Sequence, residues 1–194
     1  MTEVDTTAGE KRPEAGRQDS RIARTRADVG RAALHLLVEE GSQALTHARV
    51  AEVAGYSKST LYTRWPNRSD LAYTAFDALG DMPHQERSGD LRSDLVAELK
   101  MFRRAVIDRK LDRVLAAMAE WATFETMREL RNRINTEAQR PIRGMLEGSF
   151  TGARLEAAIS MLAGVVACPS LMFGTVPDDA VIEAAVDVVL SSDN

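Results

Sequence analysis

Residues 57–71 read SKSTLYTRWPNRSDL, and the arrangement of this stretch decides the fold. It carries Tyr62, Trp65, three cations (Lys58, Arg64, Arg68) and five Ser/Thr hydroxyls within a few helical turns. A core helix does not hold so many polar groups, and a solvated surface helix has no need of a tryptophan. Ser57 suits an N-cap, because its hydroxyl can accept from the amides of the first turn. Pro66 closes the segment, since proline cannot continue a helix and disfavours helical geometry in the residue before it. Between them Leu61 and Trp65 lie four apart on one face, which leaves Lys58, Ser59, Thr60, Tyr62 and Thr63 facing outward.

Immediately upstream, Thr46 sits where an N-cap belongs, followed by Val50, Ala51, Val53, Ala54 and then Gly55, which can take positive φ. Two short helices joined by about four residues containing a glycine make a helix-turn-helix. The second, near Lys58–Trp65, would enter a DNA major groove N-terminus first, with the first bracing it. Ser59, Thr60 and Thr63 are small enough for close approach to base edges, and Lys58, Arg64 and Arg68 supply charge for phosphates. A three-helix packing unit without nucleic acid is the alternative. Before the pair, Val29, Ala32, Ala33, Leu36 and Leu37 mark a first helix from Ile22 that stops at Gly41. Gly30 is expected to weaken it by roughly 1 kcal/mol relative to Ala. After the pair, Leu71, Ala72, Ala75, Phe76 and Leu79 form the stripe of a fourth helix over Arg68–Leu79.

The stretch GRAALHLLVEEGSQALTHARVAEVAGYSKSTLYTRWPNRSDL, residues 30–71, resembles the N-terminal domain of the TetR/AcrR family of bacterial transcriptional repressors. The likeness rests on the Ala-Ala…Leu-Leu…Gly41 first helix, on Thr46…Val50-Ala51…Ala54-Gly55, and on Ser57-x-x-Thr60-Leu61-Tyr62-x-x-Trp65 with Arg68 and Leu71. It covers about Arg26 to Phe76. Trp65 stands where the family usually has Phe, Arg68 where it usually has Lys, and Gly30 at a usually bulkier position. The resemblance implies that Lys58, Ser59, Thr60, Tyr62 and Thr63 face DNA while Arg49, Arg64 and Arg68 hold its backbone. It also implies an all-α fold: an N-terminal three-helix helix-turn-helix domain plus a helical ligand-binding and dimerisation domain. The corresponding divisions are a flexible basic arm over residues 1–24 with Arg17, Arg21 and Arg24, a DNA-binding domain over 25–80, and an effector and dimer domain over 81–194.

Beyond the Met82–Gly89 linker every segment carries helical periodicity, and Pro141 is expected to kink one helix. ARLEAAISMLAGVVACPSLMFG, residues 153–174, has too little polar surface for an exposed helix and needs cover on nearly all sides. Pro169 predicts a kink or an early end near Cys168. By the resemblance this helix and the last one form a four-helix dimer interface, with Leu155, Ile159, Leu162, Val166, Val181 and Val188 as candidates. Burial in the protein's own core is the alternative. The middle helices would enclose an effector pocket, with Met101, Phe102, Met118, Trp121, Phe124, Met127 and Met145 as its candidate lining. Few charges share those faces, which suggests an apolar or weakly polar small molecule.

The charge distribution agrees with two jobs on one chain. Residues 17–68 hold nine Lys/Arg against five Asp/Glu, and residues 111–194 hold seven against twelve. A lone cysteine, Cys168, permits no intrachain disulfide and suits a reducing compartment. With no apolar leader at the start and no run of about 18 apolar residues, a cytoplasmic protein without membrane contact is expected. His35, His47 and His84 are scattered, and no catalytic constellation, metal-ligand spacing or cofactor loop stands out, so no enzyme, metal or cofactor is expected. The expected function is a homodimeric repressor that binds a palindromic double-stranded operator and is released by a small-molecule effector. A helical ligand carrier or enzyme without a DNA role, or a DNA-binding regulator without an effector, are the alternatives.

Overall fold

The computed structural model describes residues 13–80, 82 and 84–191. Among the described residues every regular element is helical: α1 (Pro13–Glu39), α2 (His47–Ala54), α3 (Lys58–Arg64), α4 (Arg68–Asp77), α5 (Leu91–Asp108), α6 (Leu111–Glu120), α7 (Glu125–Leu146), α8 (Gly152–Phe173) and α9 (Asp179–Ser191). A 3-10 turn, Ser42–Ala44, precedes α2. The all-α expectation therefore holds. Helix α1 begins well before the expected boundary at residue 24, so the proposed arm is helical from Pro13 onward; residues 1–12 lie outside the described residues. Proline is at home in the first turn of a helix, and the Ala, Arg and Gln residues after it are good helix formers.

Helix α1 packs along α4 and touches α2 and α6. Gly30 explains how closely α1 and α4 approach. A Cβ placed there would lie 2.9 Å from both the Ala78 Cβ and the Thr74 carbonyl oxygen. The glycine expected to be only a weak point in α1 is the residue that admits the backbone of α4. Lys110, with φ 50°, turns α5 into α6, and its ammonium reaches back to both oxygens of Glu39 at 2.6 Å.

The linker between α4 and α5 is organised by Asp94, which accepts from Ser88 Oγ at 2.6 Å, Ser88 N at 2.8 Å and Gly89 N at 3.1 Å. The hydroxyl and amide of Ser88 hold its carboxyl below the usual aspartate range. Helices α5 and α9 are stitched by ion pairs, among them Lys100–Glu183, Arg103–Asp179 and Arg92–Asp187. Such exposed pairs stabilise little, but they fix register. Helix α8 continues four residues past Pro169 and ends at Gly174, whose φ of 64° makes a left-handed cap. The early end expected near Cys168 does not occur. This helix is also long and apolar enough, by length and composition, to cross a membrane. Here it packs against α5, α6, α7 and α9. Buried residues from all nine helices join in one continuous core.

Candidate functional site

The short helix pair is built from local sequence. Thr46 caps α2 by accepting from Arg49 N at 3.2 Å, Gly55 takes φ 73°, and Ser57 caps α3 by accepting from Thr60 N at 3.2 Å. Leu61 is fully buried and Trp65 nearly so, its indole N–H donating to Thr74 Oγ1 at 2.8 Å. With α3 locked from behind, Lys58, Ser59, Tyr62, Thr63 and Arg64 project outward. Thr60 is half-buried, and its hydroxyl shares a 2.8 Å hydrogen bond with Ser57 Oγ. Thr63 donates its hydroxyl to the Ser59 carbonyl at 2.8 Å, one turn back. Thr60 and Thr63 are thus engaged in shaping the helix as well as facing its open side.

Two of the expected backbone cations have other partners. Arg49 is held between Glu40 at 2.8 Å and Glu52 at 2.9 Å. These carboxylates push its guanidinium well above the usual range, and Arg49 in turn holds the Glu40 carboxyl low. Arg68 donates to the carbonyls of Leu45 at 3.0 Å and Ser42 at 2.9 Å, and lies over the ring of Trp121, 5.6 Å from its centroid. It ties the 3-10 turn before α2 to the end of α6. His47, at the first position of α2, gave no functional signal in the sequence. Its Nε2 stands 2.6 Å from the Trp65 carbonyl, and its ring stacks on Tyr62 with centroids 4.2 Å apart. A carbonyl only accepts, so Nε2 carries the proton.

The helices of the C-terminal part enclose a cavity of about 290 Å³. Its wall is mostly apolar, with Met101, Phe102, Val114 and Met118 among its residues, and Leu79 and Met82 close it from the α4 side. Of the candidate lining, Met101, Phe102 and Met118 are in the wall; Trp121, Phe124, Met127 and Met145 are not. Trp121 turns toward Arg68, Phe124 is exposed beside it, Met127 is buried at the start of α7, and Met145 packs half-buried on the core. The polar groups in the wall are His84 and Glu98, joined at 2.7 Å, with Asn135 and Gln139 from α7.

The sequence profile described as bacterial regulatory proteins of the tetR family matches residues 31–73, the segment that holds the helix pair. Residues 31–73 thus carry the N-terminal domain of the tetR family of bacterial regulatory proteins. It is 38% identical over 74 residues to a DNA-binding transcriptional repressor, TetR, of Mycobacteroides abscessus, covering 37% of this chain and 39% of that protein. An uncharacterised HTH-type transcriptional regulator of Mycobacterium bovis is 39% identical over 64 residues, 32% of each chain. The matches therefore span about a third to two fifths of these relatives. A solved structure of the TetR family transcription regulator SCO0332 aligns with TM-score 0.64 at 29% identity, covering 87% of this chain and 97% of that one. A tetR-family regulator from Streptomyces coelicolor shares the fold with TM-score 0.70 at 18% identity, covering 88% and 82%.

In the C-terminal helices the expected interface residues divide. Leu155, Ile159, Leu162 and Val166 are buried against the protomer's own core, whereas Val181 and Val188 are exposed. The side of α8 that is open carries Met161, Cys168, Leu171, Met172 and Phe173, with Met172 and Phe173 at 70% and 73% exposure. Four of the six candidates thus face the protomer's own core. Large β-branched and Leu side chains fill the inside, and the thioethers and Phe173 are left outside. Among the described residues no group of three or more His, Cys, Asp or Glu is placed to hold a metal.

Proposed function

We propose that this chain is a homodimeric transcriptional repressor that binds a palindromic operator through α3 and is released by a small molecule in the α4–α8 cavity. The observation that carries the reading is the outward set Lys58, Ser59, Tyr62, Thr63 and Arg64 on a helix fixed by Leu61 and Trp65. Cations and a phenol meet phosphates, while Ser and Thr meet base edges. Residues 25–80 would form the DNA-binding part and residues 81–194 the effector and dimer part, with the protein acting in the cytoplasm.

The exposed apolar side of α8 and α9, with Met161, Leu171, Met172, Val181 and Val188, is the surface on which a second copy would pair. Two recognition helices related by a two-fold axis read half-sites about one DNA turn apart. An effector that binds unequally to two arrangements of the dimer would alter that spacing and lower operator affinity. The name of the M. abscessus relative supports repression. Selection of bound DNA from a random pool by the purified chain tests the reading: an inverted repeat is expected, and the enrichment of no sequence would refute it.

A further inference from the structure

We infer that the cavity takes a lipophilic molecule with a cationic, hydrogen-bond-donating head, and that Glu98 receives that head. This rests on reading the cavity as the effector site. Glu98 lies on α5 at 6% exposure and contributes to the cavity wall. One carboxylate oxygen accepts from His84 Nδ1 at 2.7 Å and the other from Gln85 N at 3.2 Å. Each oxygen has two lone pairs, so both retain an acceptor position after these bonds.

Among the described residues no lysine or arginine lines the cavity. Arg109, which approaches the Leu79 carbonyl at 3.5 Å, is exposed and is not part of the wall. In the adjoining groove Arg133 is paired with Asp77 and Arg140 with Glu137. An anionic ligand would meet a buried carboxylate whose one basic neighbour in the described wall, His84, is already engaged with it at 2.7 Å, in surroundings where like charges repel strongly. An ammonium would instead complete the hydrogen bonding of Glu98 while its carbon body lies on Met101, Phe102 and Met118. A neutral alcohol can donate one hydrogen bond but gains no charge attraction. The head group thus ranks ligands of equal apolar body as amine, then alcohol, then acid.

Phenylbutylamine, phenylbutanol and phenylbutanoate share one body and differ in the head. Titrated calorimetrically into the full chain, the amine should bind about tenfold or more tightly than the alcohol, roughly 1.4 kcal/mol per tenfold step, and the acid should be weakest. Glu98→Gln should erase the preference for the amine over the acid. Equal affinities, tighter binding of the acid, no binding of any of the three, or an order unchanged in Glu98→Gln would each overturn the inference. Should Glu98→Gln fail to fold, the ranking in the unsubstituted protein decides alone. Fluorescence anisotropy of labelled operator separates this from the effector reading. If the amine binds by way of Glu98 and leaves the operator complex intact, the effector reading falls and the head-group assignment stands. If the acid both binds and releases the operator, the assignment falls and the effector reading stands.

Discussion

Replacing His47 by Ala removes two contacts that converge on the recognition helix. The first is the 2.6 Å hydrogen bond that ends on the Trp65 carbonyl, at the C-terminus of α3. His47 is buried, so the carbonyl would lose its partner where water has poor access, at about 1–3 kcal/mol. The second is the stack on Tyr62, whose rings are tilted by only 12°. Such aromatic pairs contribute about 0.5–1.5 kcal/mol beyond area burial. Together the expected loss is about 2–4 kcal/mol, measured by urea unfolding at one fixed protein concentration because dimerisation shifts apparent stability. His47→Gln separates the two contacts, since its amide can reach the carbonyl but cannot stack. A double-mutant cycle with Tyr62→Ala should give a coupling of about 0.5–1.5 kcal/mol. Operator affinity should fall roughly threefold to tenfold in His47→Ala, because a loosened Tyr62 must be ordered on binding. A variant within about 0.5 kcal/mol of the parent, with no coupling to Tyr62, would show that His47 is a bystander.

The double substitution Lys58→Ala with Tyr62→Ala should abolish operator binding, with circular dichroism and oligomeric state unchanged; unaltered affinity would rule out α3 as the recognition helix. Met161→Asp combined with Val188→Asp should give monomers by sedimentation at unchanged helicity, whereas Leu162→Asp should unfold the chain because that side chain is fully buried. Folded, dimeric Leu162→Asp would refute this division of the faces. Gly30→Ala should lower Tm although Ala is the better helix former: overpacking costs about 1–3 kcal/mol against a propensity gain of about 1. A raised Tm would mean that α1 and α4 separate freely.

The helix-turn-helix was legible in the sequence because everything that defines it is local. Thr46, Gly55, Ser57 and Pro66 set boundaries by capping and backbone restriction, and Leu61 with Trp65 marks the inner face by spacing alone. The candidate interface on α8 was harder to orient. That helix is apolar on nearly every side, so periodicity offers two faces and cannot choose between Leu162 and Met161. The cavity suffered from a related ambiguity. Large Met and aromatic residues suit its wall, but whether Trp121 turns toward the cavity or toward Arg68 depends on how the end of α6 meets the start of α4, about 50 positions earlier. The partners of Arg49 and His47 are not legible in the sequence for a related reason: Glu40 and Tyr62 become their neighbours through turns in the chain, not through any repeating interval. The start of α1 was not legible because a polar stretch without an apolar stripe can still be helical when Pro13 starts it, even with Gly16 in the first turn.

Most helix contacts are cushioned: side chains between two axes can change rotamer and let one helix slide or tilt. At Gly30 that cushion is missing: even a Cβ there would lie 2.9 Å from the Thr74 carbonyl oxygen of α4 and from the methyl of Ala78, which caps it. Close-packed contacts of this kind have little compliance. The helix that bears on it leads from the indole-binding hydroxyl of Thr74 to Leu79 in the cavity wall. A push on Leu79 therefore cannot be absorbed by separating α4 from α1. Under the proposed effector release, a ligand pressing on Leu79 would have to turn α4 about Gly30, a fulcrum between cavity and recognition helix.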